Sequence, residues 1–199
     1  MEKLLSFKDK DKASFLAPLI LNKFSQKPEF SAHKLKIDFF SINEKYIKSD
    51  EIIKPIYKIE ANSFVGPLLK KEAVKRVGSI DTSFFILYDD TDYTYRLFRF
   101  YGPGYLITKS IIYHKTSPDN KIPKWKKLYG MRNEIRFFKK HGKPLTYIPL
   151  FFESIAKFII NYGKFSINDL LKALFLELFI GNVEFNHNYI IEKYKDLYN

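Results

Sequence analysis

Three carboxylates, Asp89, Asp90 and Asp92, follow directly on the aromatic and aliphatic run Phe84–Tyr88. Such a run reads as a short buried strand. Strand ends that deliver clustered acids into a crevice are where α/β folds place their chemistry, and a carboxylate held there can take a proton from an attacking hydroxyl. An amphipathic segment comes next, then Gly102 and Gly104, then a second strand-like run that closes on His114. The same acids also suit a helix N-terminus, where negative charge offsets the dipole of the helix that follows. On residue types and spacing alone both readings stand.

The elements that must position these groups can be read from the rest of the chain. Residues 14–21 form a short buried strand in which Pro18 favours an edge or a bulge, and His33–Phe40 alternates well enough for a second. Residues 22–29, with Pro28, read as a loop, and residues 43–58 as a variable, lysine-rich loop. Ala61–Leu69 is the next predicted strand, where Gly66 suggests close approach by a backbone or a ligand. A short helix over Lys70–Val77 ends at Gly78, the usual left-handed cap. After the acids, Tyr93, Leu97 and Phe100 are spaced to face a sheet. Trp125, Leu128, Ile135 and Phe138 recur at helical spacing between Lys124 and Lys140, and Gly142 ends that element. Two further helices, Leu145–Tyr162 and Ile167–Ile180, are joined by a turn at Gly163, and the tail adds a last helical turn or two.

Several motifs are linked in order. Ser63-Phe64-Val65-Gly66 precedes the helix-like KKEAVKRVG and Ser79-Ile80-Asp81. Then come Tyr88-Asp89-Asp90-Thr91-Asp92-Tyr93, Arg96, Gly104-Tyr105, Tyr113-His114 and Tyr129-Gly130-Met131-Arg132-Asn133. Over roughly residues 14 to 143 this series resembles the C-terminal half of the catalytic domain of family 2 glycosyltransferases, especially bacterial rhamnosyl- and galactofuranosyltransferases.

The resemblance implies an α/β fold: a partial GT-A-type mixed sheet flanked by helices over residues 1–143, then a C-terminal helical extension over 144–199. It implies an inverting transferase of bacterial cell-surface polysaccharide synthesis, moving a sugar from a nucleotide-sugar donor to a saccharide or lipid-linked acceptor. Asp90 matches the base that deprotonates the acceptor hydroxyl, and Asp89 and Asp92 match acids that position sugar hydroxyls. Tyr88 offers a sugar-stacking face, with Gly66, Trp125, Arg132 and Asn133 as further substrate-binding candidates. Arg132 could pair with a phosphate or with Asp89. His114 matches a ligand of the divalent cation, Mn or Mg, that neutralises the leaving nucleoside diphosphate.

One part of the family pattern is not found. Asp9-Lys10-Asp11 has the letters of the D-x-D metal motif but lies in a lysine-rich stretch with no strand before it. The expectation is therefore the second half of such an enzyme, from a truncated or split gene, with a separately encoded N-terminal half as partner. Alone it is expected to be inactive, and to associate into a homo-oligomer through surface left uncovered.

Composition sets the outer bounds. The 199 residues suit one domain, or one with a helical appendage. With no cysteine, disulfides and thiolate metal sites are excluded, which fits a reducing cytoplasm. No secretory signal is visible, and no stretch offers the ~20 uninterrupted apolar residues of a spanning helix. The net charge of +12 suits nucleic acid, an anionic membrane surface or a polyphosphate ligand. No helix-turn-helix, finger or aromatic-basic strand motif supports specific nucleic-acid binding. The apolar helices after Leu145, with basic residues near them, suit peripheral contact with a membrane. The remaining alternatives are an inactive remnant or an interaction module on the same fold, and a basic nucleic-acid binder.

Overall fold

The computed structural model describes residues 2–29, 32–37, 42–47, 52–115 and 122–195. The architecture is mixed α/β, and the chain divides into two compact units. The first draws on Met1–Leu35, Glu44–Asp81 and Asp89–Asn120, the second on Lys36–Asn43, Thr82–Tyr88 and Lys121–Asn199.

The first unit is built on a four-stranded sheet of β1 (Phe15–Asn22), β4 (Ile56–Ile59), β5 (Leu68–Leu69) and β6 (Gly104–His114), in the order β4-β6-β1-β5. β1 runs parallel to β6, while β4 pairs antiparallel with β6 and β5 antiparallel with β1. The near-continuous apolar run of β1 is what a strand covered on both faces requires. Pro18 sits where the β1–β6 register jumps, so its missing N–H coincides with a bulge, as its position in the sequence suggests. Alternation divides the buried side chains between two faces. Phe15, Ala17, Ile59 and Leu106 cluster with Ala73, Tyr93 and Leu97, whereas Leu16 and Ile107 cluster with Leu4 and Ala13. The helical members of the larger cluster come from α2 (Lys71–Val77) and α3 (Asp89–Phe100). Gly78 ends α2 as expected, with a φ of +81° that suits glycine, but its ψ of −153° is not that of the left-handed helical cap. β2 (His33–Ile37) and β3 (Ile42–Tyr46) pair separately as a two-stranded ribbon, and a short helix, α1 (Glu2–Leu5), opens the chain.

The second unit is helical: α4 (Lys124–His141), α5 (Tyr147–Asn161), α6 (Ile167–Leu171), α7 (Glu177–Phe179) and α8 (His187–Tyr194). A π-helical turn, Lys172–Leu176, joins α6 to α7. Ser166 caps α6 by accepting from the Asp169 N–H, and the Asp169 carboxylate accepts from Lys193 and Tyr194 of α8, closing the helices on one another.

Four expectations are corrected. Phe84–Tyr88 is not a strand: a 3₁₀ turn covers Thr82–Phe84, and Phe85, Leu87 and Tyr88 have φ of 62–65°, which no strand accommodates. Residues 43–58 are not simply loop, because β3 occupies their start and β4 their end; β4 forms through its ladder with Gly104–Ile107 rather than through its own pattern. Ala61–Leu69 is largely bend, with only Ala61, bridged to His33, and β5 in sheet pairing, since Gly66 turns left-handed at φ +69° and Pro67 lacks a donor. Phe100, at the last turn of α3, is 59% exposed rather than sheet-facing.

Candidate active site

In the first unit the three acids occupy the first turn of α3. Negative charge at this end of a helix is favourable by roughly 0.3–1 kcal/mol per group, so the sequence starts the helix where the acids begin. The three carboxylates then diverge in environment. Asp92 is fully buried and receives the Arg96 Nε–H at 2.9 Å, one turn along. The remaining Arg96 donors reach the carbonyls of Val77 and Ser79, and Tyr93 Oη donates to the Gly78 carbonyl. Asp92 thus anchors the arginine that ties the end of α2 to α3.

Asp90 is half-buried and accepts from the Thr91 N–H at 2.7 Å. Burial and the adjacent Asp89 carboxylate push its pKa up to about 6, against the backbone donors of Thr91, Phe64 and Asp90 itself. A carboxyl so poised is mostly ionised at neutral pH yet more basic than an ordinary aspartate, which suits a general base. The Asn62–Gly66 segment is fixed beside it. Thr94 Oγ1 accepts from the Asn62 N–H at 3.0 Å and lies 2.7 Å from the Asp90 carbonyl. The rings of Phe64 and Tyr93 meet edge to face at 6.0 Å. Gly66 has a structural reason of its own, since a Cβ there would stand 2.2 Å from Ile112 Cδ1.

His114 ends β6, and its Nδ1 lies 2.8 Å from Glu29 Oε2. Among the described residues no three His, Asp or Glu side chains converge as a metal site would require. His114 and Glu29 do not by themselves supply the ligand set of a divalent cation.

The other sequence-selected residues belong to the second unit. Arg132 and Asn133 lie on α4 and are fully buried. Asn133 Nδ2 donates to the carbonyls of Phe84, Ile86 and Leu87 at 2.7–2.9 Å. Arg132 donates to those of Ser83, Phe84 and Val183 and to Asn133 Oδ1, between the rings of Tyr129 and Phe185. Burial, with Arg136 beside it, lowers Arg132 to about 10, so it remains charged at neutral pH. This is the physical reason why residues 83–87 make no strand: the carbonyls of Ser83, Phe84, Ile86 and Leu87 are taken by side chains of α4. Left-handed backbone at non-glycine residues costs ~1–3 kcal/mol each, and the charged and amide donors offset that cost. Tyr88 packs on Phe137, with centroids 5.5 Å apart. With Leu87 it lines a cavity of about 300 Å³ against Ile122, Lys127, Met131 and Glu134. Trp125 is half-buried and meets Tyr129 edge to face at 6.2 Å.

Two residues of this clamp escape sequence reading. Arg136 donates bidentately to Glu177 of α7 at 3.0 and 2.8 Å, with both side chains buried, and also reaches the Ser83 carbonyl. The signal was present: Arg132 and Arg136 share a helical stripe with Leu128, and arginines inside an apolar stripe require buried acceptors, carbonyls for Arg132 and the Glu177 carboxylate for Arg136. Phe85 is held in turn by stacking on His187, which hydrogen-bonds Tyr129 Oη. Burial pushes the Tyr129 phenol up to about 12. No protein-family model matches the chain, and no curated protein matches it in sequence.

Proposed function

We propose that this chain carries the acceptor-activating part of an inverting, family 2-like glycosyltransferase of the GT-A type. The observation that carries the reading is Asp90, a half-buried carboxyl at a helix N-terminus with its pKa raised to about 6 beside a second carboxylate. Its carboxylate takes the proton of an acceptor hydroxyl as that oxygen bonds to the anomeric carbon. The bond from that carbon to the donor's distal phosphate oxygen breaks, and the electron pair leaves with the nucleoside diphosphate. Attack opposite the leaving group inverts the centre. Asp89 keeps Asp90 basic through repulsion and is the neighbouring group best placed to accept from further hydroxyls. Asp92 acts indirectly, through Arg96. Recognition of the nucleotide is assigned to a donor-binding segment outside the described residues, which would also have to complete any site for Mn or Mg at His114.

The test is mass spectrometry of products formed from a mixture of nucleotide sugars and saccharide or lipid-linked acceptors, with a donor-binding half supplied. A sugar-mass increment on the acceptor is expected with the wild-type chain, falling roughly 10²–10⁴-fold with Asp90→Asn. Near-normal turnover by that variant would remove Asp90 from the reaction. Failure of every donor and acceptor combination would remove the transferase reading itself.

A further inference from the structure

α5 is amphipathic in the reverse sense. Its inward stripe, with Leu150, Ser154 and Asn161 buried and Lys157 half-buried, is mostly polar, and Lys157 is bonded to Glu134 and Glu153. At 100° per residue, the opposite stripe holds Ile148, Phe152, Ile155 and Ile159. Of these Ile148, Phe152 and Ile159 are 52%, 64% and 67% exposed. A helix that turns its aliphatic stripe to water has that face available for something other than its own core. The neighbouring segment extends it. Phe151 packs against Phe175 and Phe179, and beyond them Phe179 and Ile180 are 66% and 75% exposed. Tyr147 and Tyr162, both exposed, stand at the two ends of α5.

We infer that this face of α5 and α7 docks on an anionic lipid surface, lying in the headgroup region rather than crossing it. Charge selects this occupant. Of the acids between residues 143 and 180, Asp169 and Glu177 are buried in ion pairs and Glu153 is paired with Lys157. Lys164, exposed, and Lys172, half-buried, add positive charge to this segment. A second copy would bring a like net charge of +12 to the contact, whereas an anionic bilayer is attracted to it. Tyrosines at the ends of an apolar stripe match the polarity gradient of a membrane interface. None of the helices in the described residues is long and apolar enough to span a bilayer, so the geometry is that of a helix lying in the interface. The inference stands independently of the transferase reading, since it involves neither Asp90 nor any donor.

The test is co-sedimentation of the whole chain with vesicles of phosphatidylcholine alone or of phosphatidylcholine mixed with phosphatidylglycerol. Retention on the mixed vesicles should exceed that on neutral ones by about tenfold or more, and fall as salt is raised. Phe152→Ser combined with Ile159→Ser should lower it by about tenfold or more, with an unchanged circular dichroism spectrum because both side chains are exposed. Phe24→Ser, which removes an exposed aromatic of the first unit, should leave it unchanged. Equal retention on neutral vesicles, or none on either kind, overturns the proposal. Self-association that the double substitution abolishes, without vesicle binding, overturns it in favour of a second copy.

Discussion

Asp90→Asn exchanges a carboxyl with a pKa raised to about 6 for a neutral amide of nearly the same shape. In the unfolded chain that carboxyl titrates at its ordinary value of 3.8. Between the two values the folded chain binds more protons than the unfolded one, so stability falls as pH rises through this window and levels off above about 6. The gap between 3.8 and about 6 corresponds to ~3 kcal/mol. Water reaches part of the carboxyl and screens both the burial cost and the Asp89 repulsion, which brings the expectation to ~1–2 kcal/mol. Asparagine retains an oxygen for the Thr91 N–H. The variant should therefore be more stable than wild type by ~1–2 kcal/mol at pH 7. The difference should shrink towards zero below about pH 4, where the wild-type carboxyl is itself neutral. Urea unfolding of both proteins at the two pH values measures this directly. Far-UV circular dichroism is the better signal, because the sole tryptophan, Trp125, belongs to the other unit. A variant less stable than wild type at neutral pH, or a difference independent of pH, would refute the reasoning.

The clamp on residues 83–87 and the bend at Gly66 give two further expectations. Arg136→Met leaves Glu177 buried without its partner and should cost ~3–5 kcal/mol, while adding Glu177→Leu should recover much of that loss; a double-mutant cycle by chemical denaturation reads the coupling, and additive losses would contradict it. Gly66→Ala meets both a φ of +69° and Ile112 Cδ1 at 2.2 Å, and should lower stability by ~1–3 kcal/mol, with Ile112→Ala relieving the clash but not the backbone strain. A neutral Gly66→Ala in thermal unfolding would show that the segment relaxes.

The parts of the fold that could be read in advance are those whose order is local. β1 declares itself by an apolar run and Pro18 by its missing donor, while α2 and α4 are marked by periodicity and by Gly78 and Gly142 at their ends. β6 closes on His114 as its pattern suggests. What escaped depends on partners far along the chain. Ile56–Ile59 becomes a strand because β6 offers it a ladder, and no window of sequence around residue 56 contains that fact. Phe84–Tyr88 has strand composition but no strand to join, and its carbonyls are captured by Arg132, Asn133 and Arg136, some 50 residues on. At the candidate site, a helix N-terminus at Asp89, Asp90 and Asp92 was one of two readings that their spacing left open, and the fold takes that one. Their division into a basic carboxyl and a buried strut did not follow from spacing, because it depends on Asn62–Phe64, Arg96 and the end of α2. For Asp89–Asp92 the helix N-terminus is where the acids stand.

The pH profile of sugar transfer by the chain supplied with a donor-binding half tests the assignment of Asp90 most directly. Transfer efficiency, kcat/KM for the acceptor, should rise about tenfold per pH unit below about 6 and level off above it, following ionisation of the Asp90 carboxyl. The residual activity of Asp90→Asn should lack that limb. A profile with no limb near 6, or an Asp90→Asn enzyme that keeps it, would contradict the claim that this carboxylate takes the acceptor's proton.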